Sequence, residues 1–153
     1  MLAYRLPREP SSPRVVVWRR LRRLGAVQLV DGLAVLPADA RTREQFDWLA
    51  EQVVDAGGEA TTWVARAGSA RQERELARRM ADEAARDYRA VIADAAAAAG
   101  DLGTAGRTLA RLRRELHRIA QRDHFPPRER DAARHSVARL ADQLATGEEA
   151  KVR

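Results

Sequence analysis

The sequence predicts an α+β fold, and three features carry that reading. Residues 1–66 mix Gly/Pro punctuation with β-branched runs. An Asp31-Gly32 dipeptide there divides two apolar runs. Residues 69–146 turn to Ala, Arg, Glu and Leu. β-branched runs between breakers favour strands, and the second composition favours helices.

Leu2 to Leu6 predicts a short strand ended by Pro7. Pro10-Ser11-Ser12-Pro13 is a turn that can start a helix over about Pro13 to Leu24, with Gly25 suited to its left-handed C′ position. Val17, Leu21 and Leu24 form one apolar stripe on it with Trp18 at the edge, while Arg19, Arg22 and Arg23 point away. Val27–Val30 and Leu33–Leu36 flank Asp31-Gly32 and predict a two-residue hairpin with a type I′ turn. That loop would pair Val30 with Leu33 and Leu29 with Ala34. Both hairpin faces are then apolar, so both need cover. Helices of this half supply one cover; the C-terminal helices or another subunit supply the second.

Thr42-x-x-Gln45 reads as a capping box opening a second helix, with Phe46, Leu49, Val53 and Ala56 inward and Gly57-Gly58 as its stop. Glu59 to Ala65 reads as the fourth strand. The resulting order, βαββαβ, is the ferredoxin-like split arrangement. A C-terminal three-helix segment follows, over about 70–99, 104–122 and 127–144. Leu76, Met80, Ala84, Tyr88 and Val91 face inward on its first helix, and Glu75/Arg79 and Asp82/Arg86 form i,i+4 pairs. The expected organisation is a ferredoxin-like domain over 1–67, a helical extension packing on it over 68–146, and a flexible tail over 147–153.

The chain has 153 residues, a length suited to one domain with an appendage. It contains no cysteine, which removes disulfides, thiolate zinc sites, iron–sulfur clusters and Cys nucleophiles, and which fits a cytoplasmic location. The opening residues have no basic segment followed by an apolar one, and no run approaches the ~18 apolar residues of a membrane span. Glycine-rich dinucleotide and phosphate loops and the Gly-x-Ser-x-Gly elbow are absent. His117, His124 and His135 are too few and wrongly spaced for a helical metal site. The expectation is therefore a protein that is not an enzyme, with no cofactor, no metal and no membrane partner.

Charge placement is more informative than the net +6. Residues 5–23 hold seven Arg against Glu9 alone, a net +6, and residues 107–122 carry +5, so the remainder sums to −5. Arg14, Arg19, Arg20, Arg22 and Arg23 are the candidate phosphate contacts of the first cluster. Arg107, Arg111, Arg114, Arg118 and Arg122 fall within an ~80° sector of one helix and form the second. Leu109, Leu112, Leu116 and Ile119 form the opposite stripe. Trp18, Trp48 and Trp63 sit in amphipathic or strand patterns and read as core. That disfavours aromatic stacking on single-stranded RNA.

Several segments together carry a family resemblance. They are Tyr4-Arg5-Leu6-Pro7, Arg14 through Ala26 (Arg-Val-Val-Val-Trp-Arg-Arg-Leu-Arg-Arg-Leu-Gly-Ala), Asp31-Gly32-Leu33, Val35-Leu36-Pro37 and Phe46-Asp47-Trp48-Leu49-Ala50. Ala56-Gly57-Gly58-Glu59-Ala60, Asp87-Tyr88 and Arg122-Asp123-His124-Phe125-Pro126 continue the series. In order, they resemble the N-terminal domain of ChrB-type chromate resistance proteins, and the expectation is a stand-alone version without the usual C-terminal domain. The resemblance implies a transcriptional regulator responding to chromate or oxidative stress. Joined to the arginine clusters, it leads to the expectation of a homodimer that binds DNA. The competing expectation is a chromate- or oxyanion-sensing or protein-interaction module without DNA binding, since Arg forks suit a tetrahedral dianion.

Overall fold

The computed structural model describes residues 1–152 and, apart from Leu102 and residues 148–152, their side chains. The described residues form a four-stranded antiparallel sheet and five helices. In chain order these are β1 (Leu2–Arg5), α1 (Ser12–Leu24), β2 (Val27–Val30), β3 (Leu33–Val35), α2 (Ala40–Asp55), β4 (Glu59–Thr62), α3 (Ala70–Ala98), α4 (Leu102–Arg122) and α5 (Glu129–Val152). The chain divides into two compact units, Met1–Met80 and Ala81–Arg153, so the break falls inside α3. The expected tail over 147–153 is helical as far as Val152, and Arg153 lies outside the described residues.

In the first unit the sheet order is β2-β3-β1-β4, with every neighbouring pair antiparallel. Alternation along the strands separates two apolar faces. Leu2 and Ala34 lie opposite each other and pack with Val17, Leu21, Phe46, Leu49 and Val53 of α1 and α2. Val27 and Val35 lie opposite each other on the other face, where Met80 covers them with help from Leu76 and Leu29. The second cover of the hairpin is thus the opening turns of α3, and the Arg79 guanidinium adds a hydrogen bond to the Gln28 carbonyl at 3.1 Å. Arg79 therefore reaches β2, while Glu75 pairs with Arg78 at 2.9 Å.

The hairpin departs from its expected register. Val30 does face Leu33, but Gln28 rather than Leu29 faces Ala34, so Leu29 is the extra residue of a bulge. Among the described residues only glycines have a positive φ, so Asp31 does not take the conformation a type I′ turn requires. Gly32, at φ +78°, makes the reversal, and the Tyr4 N–H donates to its carbonyl at 2.7 Å. A Cβ there would stand 2.4 Å from the Tyr4 carbonyl oxygen. The bulge brings Val35 rather than Ala34 to the side of Val27 and Leu29, and Met80 packs there with them.

Helix α2 also begins one turn earlier than expected. Asp39 is the N-cap: its carboxylate accepts from the Thr42 N–H at 2.8 Å, and the Thr42 hydroxyl accepts from the Asp39 N–H at 3.2 Å. Thr42 is therefore the N3 partner of the capping box, and its hydroxyl donates to the Pro37 carbonyl. Helix α1 ends as expected, with Gly25 at φ +70° and the Ala26 N–H closing on the Leu21 carbonyl.

In the second unit, Leu109, Leu112 and Ile119 of α4 are buried against Tyr88, Val91 and Ala95 of α3 and Val137 and Leu140 of α5. The apolar stripe of α4 is the core of this unit. Among the described residues no helix is long and apolar enough to cross a membrane.

Candidate nucleic-acid interface

The two arginine clusters have different surroundings. Helix α1 contains no acidic residue. Its buried stripe, Val17, Leu21 and Leu24, holds it on the sheet and turns Arg19, Arg20, Arg22 and Arg23 to solvent. Among the described residues no carboxylate pairs with these four. Arg22 and Arg23 occupy the last turn, where the negative end of the helix dipole favours a cation. The Arg22 guanidinium lies over the Trp18 ring, 5.3 Å from its centroid. Arg14 is engaged locally, donating to the Pro7 carbonyl at 2.8 Å. Arg5, counted in the same basic window, pairs across the sheet with Glu59 at 2.9 Å.

The α4 cluster is largely neutralised inside its own unit. Arg111 pairs with Asp94 of α3 at 2.8 Å, Arg118 with Glu115 at 2.8 Å, and Arg122 with Asp87 of α3 at 2.7 Å. Arg107 and Arg114 are exposed and have no carboxylate partner among the described residues. The face that looks purely basic along the sequence is thus mostly a row of ion pairs with α3 and with its own helix. Two of its three acids, Asp87 and Asp94, sit on another helix, which spacing along α4 does not reveal.

A second feature was hidden for the same reason. Asp87-Tyr88 and Arg122-Asp123 are far apart in sequence but pair residue for residue. While Arg122 donates to Asp87, the Tyr88 hydroxyl donates to Asp123 at 3.0 Å. Burial first, then the Asp123 carboxylate, pushes the Tyr88 hydroxyl well above its usual range. Arg89 adds an ion pair to Glu129 of α5 at 2.9 Å.

The histidines are engaged individually. His117 takes the Gln121 side-chain amide at 3.0 Å, and His135 Nδ1 donates to the Asp131 carbonyl at 2.7 Å. Among the described residues no group of three or more His, Cys, Asp or Glu is placed to hold a metal.

The three tryptophans overturn the expectation that they are core. Trp18, Trp48 and Trp63 are 48%, 58% and 59% exposed. Trp18 lies beside the buried stripe of α1, Trp48 directly precedes buried Leu49, and Trp63 follows edge strand β4. Trp18 and Trp48 each adjoin a buried position without occupying one, whereas both chain neighbours of Trp63 are exposed.

A family model described as the N-terminal region of protein ChrB matches residues 14–103. The chain belongs to this family. Neither a curated protein nor a solved structure matches it. The ChrB match takes in α1 from Arg14 onward, with its exposed arginines, and all of α3, with Asp87 and Tyr88. Arg107 to Arg122 of α4 lie beyond the matched residues.

Proposed function

We propose that this ChrB-family chain is a non-enzymatic transcriptional regulator of chromate resistance that holds DNA phosphates on the exposed face of α1. The observation that carries this reading is the α1 face itself. Arg19, Arg20, Arg22 and Arg23 project from a helix without acids, and no carboxylate among the described residues neutralises them. Guanidinium forks suit phosphate oxygens, and unpaired ones neutralise phosphates and so free the counterions condensed on the DNA. Arg107 and Arg114 are the members of the α4 cluster best suited to assist, because Arg111, Arg118 and Arg122 already face carboxylates. The first unit, with β1 between β3 and β4 and a helix in each crossover, reads as a ferredoxin-like module on which α1 is an outer element. In this reading the chain works in the cytoplasm, as a homodimer on DNA.

The test is binding to the DNA upstream of its own gene, followed across a salt series. Affinity falls steeply and linearly on logarithmic axes if phosphates are neutralised. A flat salt dependence, or no binding at low salt, contradicts the reading. The response to chromate has its own check. A chromate site on the folded protein raises the melting temperature with chromate present, and no shift at millimolar chromate removes that part of the proposal.

A further inference from the structure

We propose that the α1 face takes unpaired nucleic-acid bases, with Trp18 as a stacking platform and Arg19, Arg22 and Arg23 holding the flanking phosphates. This rests on the nucleic-acid reading above and goes beyond it by naming the strand state. Trp18 is nearly half exposed, Val15 one turn before it is 42% exposed, and Val16, farther round the same helix, is 48% exposed. Contact with phosphates alone gives no reason for these apolar groups to stand among arginines. A duplex hides its base faces in the stack and offers edges and phosphates. An unpaired strand offers base faces and phosphates together, and it binds to grooves that combine aromatic rings with positive charge.

The Arg22–Trp18 contact fits that chemistry. The guanidinium lies over the ring, 5.3 Å from its centroid, so a cation already holds a place against an indole that remains nearly half exposed. The charge is complementary as well, since α1 carries five arginines and no acid.

The test uses the full chain and three probes: a labelled mixed-sequence strand of about 20 nucleotides, the same strand as a duplex, and vesicles containing anionic lipid. The single strand binds more tightly than the duplex at equal salt. Trp18→Ala weakens single-strand binding about tenfold and leaves the logarithmic salt slope unchanged, whereas Trp18→Phe keeps most of the affinity. Arg19→Gln weakens binding through the salt-dependent part instead, lowering the magnitude of the slope by about 0.7. Trp18 is exposed, so circular dichroism of the variants should match the parent. Equal or tighter duplex binding overturns the proposal, as does indifference of single-strand binding to Trp18→Ala. Binding to vesicles without binding to either nucleic acid makes the face a lipid contact and overturns it too. If neither strand nor duplex binds even at low salt, the regulator reading falls with it; if only the strand preference fails, that reading stands.

Discussion

The Tyr88 hydroxyl donates to the Asp123 carboxylate at 3.0 Å, so a residue in the middle of α3 closes on the residue that ends α4. One position along each helix, Asp87 receives Arg122 at 2.7 Å. The pair of contacts fixes the register of α3 against α4 while the leucines of α4 supply the burial. Tyr88 is 1% exposed and donates to Asp123 Oδ2, while Asp123 Oδ1 is buried and accepts no hydrogen bond among the described residues.

Tyr88→Phe removes the donor and leaves a half-buried carboxylate without it, which costs about 1–3 kcal/mol in urea unfolding. The pH dependence follows from the raised pKa. Tyr88 ionises more readily in the unfolded chain, near its ordinary value of 10.0, than in the fold. Its contribution is therefore fully present below pH 10.0 and is lost as pH rises from there toward the higher folded value. The Phe variant should lose that part of the alkaline destabilisation. An unchanged alkaline profile would contradict the assignment.

Asp39 governs the start of α2. Asp39→Ala should cost about 1 kcal/mol, and Asp39→Asn, also a good cap, should cost less. The hydrogen bond from the Thr42 N–H holds the Asp39 carboxyl below its ordinary value of 3.8. Its contribution is present above pH 3.8 and disappears as pH falls through the lower folded value. Acid unfolding of the Asn variant, compared with the parent, checks this, because the amide cannot titrate.

Gly32 is needed for both its backbone and its lack of a side chain. Its φ is +78°, and an added Cβ would stand 2.4 Å from a backbone oxygen of β1. Gly32→Ala should therefore destabilise by roughly 2 kcal/mol or more, beyond the usual left-handed penalty. Gly57, at the same φ with open space around it, is the control, and Gly57→Ala should cost only that penalty. Equal losses in thermal or urea unfolding would show that the contact with Tyr4 is not decisive.

These residues also mark what a sequence can reveal. Val17, Leu21 and Leu24 ahead of Gly25 announce a helix and its buried side, because periodicity and a stop signal agree locally. Asp31-Gly32 announces a reversal, but the bulge at Leu29 is set by how β2 and β3 meet Met80 and Tyr4, which lie far away in the chain. Thr42 with Gln45 and Asp39 with Thr42 both satisfy a capping pattern, and packing of Thr42 against the Pro37 carbonyl decides between them. The α4 arginines look free because Asp87 and Asp94 belong to α3. Trp18 looks like core because a position beside an apolar stripe reads much like one within it. For the candidate site, local spacing found the arginines of α1, whereas their freedom from acids and the exposure of Trp18 are properties of the folded unit.

The central claim is that α1, with its unpaired guanidinium groups, rather than the ion-paired face of α4, carries the anion contact. The direct measurement is DNA affinity across a salt series for the parent, for Arg19→Glu/Arg22→Glu/Arg23→Glu, and for Arg111→Glu/Arg114→Glu/Arg118→Glu. The α1 variant should lose binding and its salt slope, while the α4 variant keeps most of both. Loss of binding in the α4 variant with the α1 variant unaffected would contradict it.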